Sequence, residues 1–293
     1  MTFASFLGRL PRPFNLLVPR RFRRVQPVVT VVRLAGAIGS VMPLRAGLSI
    51  AGVAPMLERA FAPHGVKAVA LVVNSPGGSP AQSHLIYKRI RSLSDEKKVP
   101  VLVFVEDAAA SGGYMIACAG DEIFADPSSI LGSIGVVSAS FGLDRFIERF
   151  GIERRVHTSG ENKAMLDPFR PEDPEDVARL KALQSRIHAM FIDLVKGRRG
   201  ARLKVDSPDL FSGAFWVGSE AVELGLADAV GDLRSVLRER FGPKVEMRLI
   251  APSRQSLIAR LFNRTPLGPE SLLDPYAVIG AVEERAAWAR LGL

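Results

Sequence analysis

Two glycine-rich segments could together assemble an acyl-transfer site: Asn74-Ser75-Pro76-Gly77-Gly78-Ser79 and Ala109-Ala110-Ser111-Gly112-Gly113-Tyr114. Each follows an apolar, β-branched run, Ala68 to Val73 and Val99 to Val105, so each is expected where a buried strand gives way to a helix. Backbone N–H groups at such a junction point outward, and glycine lets a reacting group come close. Ser111, flanked by small residues, would hold its hydroxyl accessible on a sharp turn, and Ala-x-Ser-x-Gly is a relative of the Gly-x-Ser-x-Gly nucleophile elbow. One segment would supply a nucleophile and the other an oxyanion hole, a pairing that implies a serine hydrolase. Taken singly, either segment is also ordinary turn chemistry.

A serine nucleophile needs a base. The four histidines are His64, His84, His157 and His188, and none lies in the glycine-rich or acidic setting typical of a triad. His157, closing a strand-like run from Glu153 to Thr158, is the best placed of them. Lysine is the alternative, usable once burial lowers its pKa from about 10.4. Lys163 follows the same run and is succeeded by the apolar Ala164-Met165-Leu166. Ser94-Asp95-Glu96-Lys97 satisfies the Ser-x-x-Lys signature of penicillin-binding proteins, but it sits among charges where no lysine can be desolvated, and it is set aside. The single cysteine, Cys118, excludes an intrachain disulfide and reads as a small core residue. No metal-ligand spacing, Walker loop or dinucleotide fingerprint is present, so neither a metal nor a cofactor is expected.

Strand and helix periods alternate along the chain, as in a parallel α/β sheet with crossover helices. Strands are expected at Val28 to Leu34, Ala68 to Val73, Val99 to Val105, Glu122 to Ala125 and Ile134 to Ser138. Helices are expected at Ala51 to Ala62, Pro80 to Leu93 with Ser79 as its cap, Leu143 to Phe150, Pro174 to Arg198 and Tyr276 to Leu291. The last of these is expected to pack on the body or on a neighbouring subunit. At 293 residues and 47% hydrophobic content the chain can bury a sizeable core. The pattern divides it into a basic tail (1–27), a catalytic body (28–250) and a linker with a C-terminal helix (251–293).

The net charge of +9 suggests nucleic acid until it is located. Residues 1–57 hold eight arginines and no acid, which leaves 31 basic against 30 acidic side chains in the remainder. The body is therefore nearly neutral, and no nucleic-acid partner is expected. The tail interleaves arginine with Phe3, Phe6, Leu7, Leu10, Phe14 and Phe22, a mixture suited to an anionic membrane surface; a solvated basic arm is the alternative. Prolines 11, 13 and 19 interrupt it, so it is neither a transmembrane span nor a secretory signal. The expected location is the cytoplasm, peripheral to the inner face of the membrane.

The ordered set of Asn-Ser-Pro-Gly-Gly, Ala-Ser-Gly-Gly-Tyr, Leu131-Gly132-Ser133-Ile134-Gly135-Val136 and the Gly-x-x-Lys step from Gly160 to Lys163 resembles the serine peptidases typified by bacterial signal peptide peptidase A and SohB. Phe215-Trp216-Val217-Gly218-Ser219-Glu220-Ala221 and Leu224-Gly225-Leu226-Ala227-Asp228 extend the likeness, which covers roughly Val28 to Leu237. The resemblance implies an α/β fold with a Clp/crotonase-like repeated ββα (spiral) core and flanking helices. It implies a serine-type endopeptidase with Ser111 as nucleophile, Lys163 as general base, and Gly77, Gly78 and Gly112 around the oxyanion hole. The substrate implied is a peptide or protein, such as a membrane-derived or signal-peptide fragment. It also implies a homo-oligomer in which the lysine can approach a neighbouring subunit's serine. Two departures stand out: the family usually has tyrosine where Asn162 precedes the lysine, and commonly has a membrane anchor where this chain has its basic tail. Two other classes share features of the pattern, a crotonase-type acyl-CoA enzyme and a noncatalytic scaffold of membrane assemblies. The first would call for a carboxylate in place of Ser111, and the second would not need Ser111 and Lys163 intact.

Overall fold

The computed structural model describes residues 26–39, 47–204, 209–251, 282 and 285–293. Nearly all of the basic tail, the linker and the start of the expected C-terminal helix lie outside the described residues.

Strands β1 (Val28–Ala35), β2 (Val66–Ser75) and β3 (Val101–Ala110) form the parallel centre of an eight-stranded sheet, in the order β3-β2-β1. Short strands complete it: β4 (Glu122–Ala125), β5 (Ile130–Gly132), β6 (Phe215–Val217), β7 (Ala229–Val230) and β8 (Glu246–Leu249). All pairings are parallel except β5 with β6. β3 has two successive partners on one edge. Its first half pairs Leu102 to Val105 with β4, and its end pairs Ala108 to Ala110 with β5. The mostly parallel sheet with its crossover helices is the α/β class expected from the sequence.

Burial on both faces explains the near-continuous apolar runs. Val69, Leu71 and Val73 of β2 pack against α1 (Ile50–Phe61), α2 (Pro80–Lys97) and α3 (Gly112–Ala117). Ser79 caps α2 by accepting from Gln82 N, as expected, and Pro80 stands at its first position. The helix expected at Leu143 to Phe150 forms as α4 (Asp144–Arg149). The long α5 (Pro174–Arg199) begins on the cap Asp173 and seals the first core with Phe191 and Val195, and the short α6 (Gly218–Glu223) adds Ala221 to it. On the opposite face of the sheet Ala68, Ala70 and Val72 meet Phe104, Phe124 and Leu237 of α7 (Leu233–Phe241). The chain's last residues pack on the body, where Leu291 is buried against Ala108 and Ala110.

Two expected strands are absent. Residues 134–138 are irregular, because Ser133 turns at φ 51 and strand pairing ends at Gly132. Glu153 to Thr158 is also irregular and finds no partner strand among the described residues, without which β-branched content does not make a strand.

Candidate active site

Ser111 closes β3 and opens α3 with φ 52 and ψ −121, a backbone shape costly for any residue with a Cβ. The strain is held from two sides. Ser111 N donates to Gly132 O at 2.8 Å, tying the turn to β5, and Met115 N donates to Ser111 O at 3.0 Å. The hydroxyl of this half-buried residue makes no hydrogen bond among the described residues.

The first glycine segment lies directly against this turn. At Gly77, φ is 102, and a Cβ there would stand 2.8 Å from Ser111 Cβ and 3.0 Å from Gly112 N. The segment is itself gripped by Ile38: Ile38 N donates to Gly77 O and Ser79 N donates to Ile38 O, both at 2.8 Å. A Cβ on Gly78 would fall 2.2 Å from that same Ile38 oxygen. Gly112 and Gly113 lie close to Ser83 Oγ and Ser75 O, so α3 packs on the loop only because both lack side chains.

Three N–H groups are candidates for an oxyanion hole, and their hydrogen bonds separate them. Gly77 N is committed to Ser75 Oγ at 3.2 Å. Gly78 N and Gly112 N make no hydrogen bond among the described residues, and Gly112 is the first residue of its helix, where N–H groups have no partner within the helix. The sequence leaves Gly77 and Gly78 as equal alternatives; the geometry prefers Gly78, with Gly77 as the spacer against Ser111.

Lys163 stands elsewhere. It ends a tight turn in which its N donates to Gly160 O at 3.2 Å, its side chain is exposed, and no hydrogen bond joins it to Ser111. The turn belongs to an arm, residues 136–170, that leaves the core. The arm is folded on itself through Arg154, which pairs with Asp167 at 2.8 Å and covers the Phe169 ring at 4.9 Å. The Arg154 hydrogen bond and the Phe169 N–H hold the Asp167 carboxyl below the usual range. Leu166 N donates to Asp176 at the start of α5, which tethers the arm's far end. Five of its apolar side chains face outward: Phe141 is 83% exposed, and Val137, Phe146, Phe150 and Ile152 are exposed with it.

None of the four histidines hydrogen-bonds to Ser111. His188 Nε2 meets Ile134 O at 3.0 Å, His157 and His64 are exposed, and burial together with Lys88 keeps His84 below its usual pKa. Lys97 pairs with Glu96, as expected of a solvated helix end. Cys118 is buried and its thiol is pushed up to about 12, mainly by burial, so it is a core residue.

Beneath the elbow lies a network that joins two of the quoted motifs, through Tyr114 and Asp228, to Arg199, which stands in neither. Tyr114, three residues after Ser111 and fully buried, donates to Leu226 O at 2.8 Å, and burial pushes its phenol well above the usual range. Arg199, with 1% of its side chain exposed, donates to both oxygens of Asp228 and to Gly225 O. Asp228 in turn accepts from Ile123 N at 2.7 Å. Arg199 lies at the end of a helix rich in surface charge, which gives no sequence signal for burial. Ile38 was equally invisible, as an isolated residue after β1.

The model of peptidase family S49 matches residues 94–241, and the chain belongs to that family. It is 54% identical over 294 residues to a protein of Brucella abortus (strain 2308) named Na(+)/H(+) antiporter NhaA, across 97% of this chain and 39% of that protein. It is 34% identical over 169 residues to the chloroplastic serine protease SPPA of Arabidopsis thaliana, across 57% of this chain and 24% of that one. The chain thus spans well under half the length of these relatives. Among solved structures, a membrane-bound stomatin-specific protease, 1510-N, in complex with a substrate peptide aligns with a TM-score of 0.49 at 17% identity, covering 81% of this chain and 98% of that one. Among the described residues no helix is long and apolar enough to cross a membrane.

Proposed function

We propose that the chain is a serine endopeptidase with a Ser–Lys dyad. The observation that carries this reading is the strained Ser111 turn, whose hydroxyl makes no hydrogen bond among the described residues, beside the N–H groups of Gly78 and Gly112, which likewise have no partner among them. The neutral amine of Lys163 takes the Ser111 proton as Oγ attacks the peptide carbonyl carbon. Gly78 and Gly112 donate to the oxyanion. The lysine ammonium returns its proton to the departing amine, and water then hydrolyses the acyl-enzyme to free the serine.

The exposed position of Lys163 favours a dyad completed between subunits. The arm that carries it also carries the outward-facing Val137, Phe141, Phe146, Phe150 and Ile152, an apolar surface that a second copy would cover as it brings Lys163 to the neighbouring Ser111. The substrates are extended peptides, such as fragments of membrane or signal segments. The basic tail holds the enzyme at an anionic membrane surface, at the inner face of the cell membrane.

Labelling by a fluorophosphonate probe tests the nucleophile. The wild-type chain should be labelled and Ser111→Ala should not; equal labelling of both overturns the assignment.

A further inference from the structure

A cavity of about 230 Å³ is lined by Val136, four residues after the end of β5, and by Lys181, Gln184, Ser185 and His188 of α5. The four α5 residues follow a spacing of three, four and seven, so they share one helix face. Their hydrogen bonds show what each offers. His188 Nε2 lies 3.0 Å from Ile134 O, and because a carbonyl only accepts, Nε2 carries the proton. Nδ1 is then an acceptor only. Ser185 Oγ donates to Lys181 O at 2.9 Å, so its oxygen remains an acceptor. Lys181 Nζ is in no ion pair among the described residues, and no carboxylate lines the cavity. The cavity therefore presents one uncompensated positive charge and an amide.

Its place is fixed by the same hydrogen bonds. Ser111 N is bonded to Gly132 O, and the His188 ring holds Ile134 O, two residues further on. From Gly132 to Val136 the backbone reaches at most about 14 Å, the length of about four residues of an extended peptide. A larger cavity, about 720 Å³, lies at the opposite ends of β2 and β3 around Glu58, His64, Arg89 and Lys98, where Arg89 is already paired with Glu58. Ligands of open parallel sheets bind at the carboxyl ends of the strands, which is the Ser111 side.

We infer that the α5 cavity is a substrate subsite for a carboxylate, an acidic side chain or a peptide's own C-terminus, within about four residues of the scissile bond. Lys181 pairs with the carboxylate while the Gln184 side-chain amide donates to it. This rests on the peptidase reading, but binding can be measured apart from cleavage.

The test uses quenched-fluorescent peptides carrying a single Glu or Gln at successive positions, each made as free acid and as C-terminal amide. Cleavage is measured with the wild-type chain and affinity with Ser111→Ala. At one position Glu should be preferred over Gln about five- to tenfold, the range expected of a partly exposed charged hydrogen bond. Lys181→Glu should abolish that preference and favour Lys at the same position, a reversal that misfolding cannot produce. If only the free-acid peptides gain, the group bound is the terminal carboxylate. A Glu-to-Gln ratio near one at every position together with no gain of free acid over amide, or a preference unchanged by Lys181→Glu, overturns the subsite. Peptides that bind with the expected preference but are never cleaved would overturn the peptidase reading and leave the subsite standing.

Discussion

Gly77 and Ser111, from two different loops, are so close that one added methyl group on the glycine would stand 2.8 Å from the serine Cβ. The same methyl would lie 2.9 Å from Ala110 O. Gly77→Ala must therefore displace the turn that presents the hydroxyl, while also forcing alanine to φ 102. Peptide hydrolysis should fall at least about a hundredfold, since misplacement by about 1 Å has that effect. Gly65→Ala is the control: φ there is 79 but nothing lies within 4 Å, so about 1 kcal/mol of stability should be lost and activity kept. Urea unfolding alongside peptidase assays separates the two.

Strain at the nucleophile can be released by removing its Cβ. Ser111→Ala keeps the φ of 52 and its cost, whereas Ser111→Gly relieves it. Both should be inactive, but the glycine variant should be the more stable by about 1 kcal/mol, or about 2 to 4 °C in Tm. Calorimetry that ranks alanine above glycine would show that the turn is unstrained.

Arg199 and Asp228 form a buried pair whose members cannot be removed singly. Asp228→Asn or Arg199→Met should cost about 3 to 5 kcal/mol, because each leaves its partner uncompensated. Burial pushes Asp228 up, but hydrogen bonds from Arg199 and the Ile123 N–H, with the charges of Arg199 and Arg202, outweigh it and hold the carboxyl below its ordinary value. A depressed pKa contributes stability above the unfolded value, about 3.9, and loses it as pH falls through the folded value. Denaturant unfolding from pH 6 downward should therefore show an acid-side loss in the wild-type chain that is smaller in Asp228→Asn.

Association is tested by mixing. If each site takes Ser111 from one subunit and Lys163 from its neighbour, equal amounts of inactive Ser111→Ala and Lys163→Ala subunits should recover about a quarter of wild-type activity, the fraction of interfaces that join two intact residues. No recovery in verified mixed oligomers would place the dyad within one subunit.

Much of the site is legible in the chain's own sequence, because its parts are local. A strand ending in Ala-Ser-Gly-Gly must turn sharply, and Ser79 followed by Pro80 starts a helix wherever it occurs. What is not legible depends on contacts between distant segments. Nothing near residues 134–138 in sequence says that the strand lies instead at Ile130–Gly132; the partner β3 and the turn at Ser133 decide it. Nor does the Gly-x-x-Lys step disclose that its lysine stands out on an arm, since exposure is a property of what the chain packs against. The choice between Gly77 and Gly78 as donor turns on Ser75 Oγ, a single hydrogen bond with no sequence signature.

The handover of β3 from β4 to β5 has a dynamic consequence. Between Val105 and Ala108 the strand has no neighbour on that edge, and its pairing to β2 skips register at the same level, between Val73 and Ser75. The half that carries Val101 to Val105 is locked into the sheet, whereas the half that leads to Ser111 hangs on three β5 residues and the Ser75 loop. Amide protons of the two halves should exchange with solvent at different rates, the first only on global unfolding and the second through local opening. The nucleophile would then ride on a segment able to breathe while the rest of the sheet stays closed, room enough for a peptide to be threaded past it.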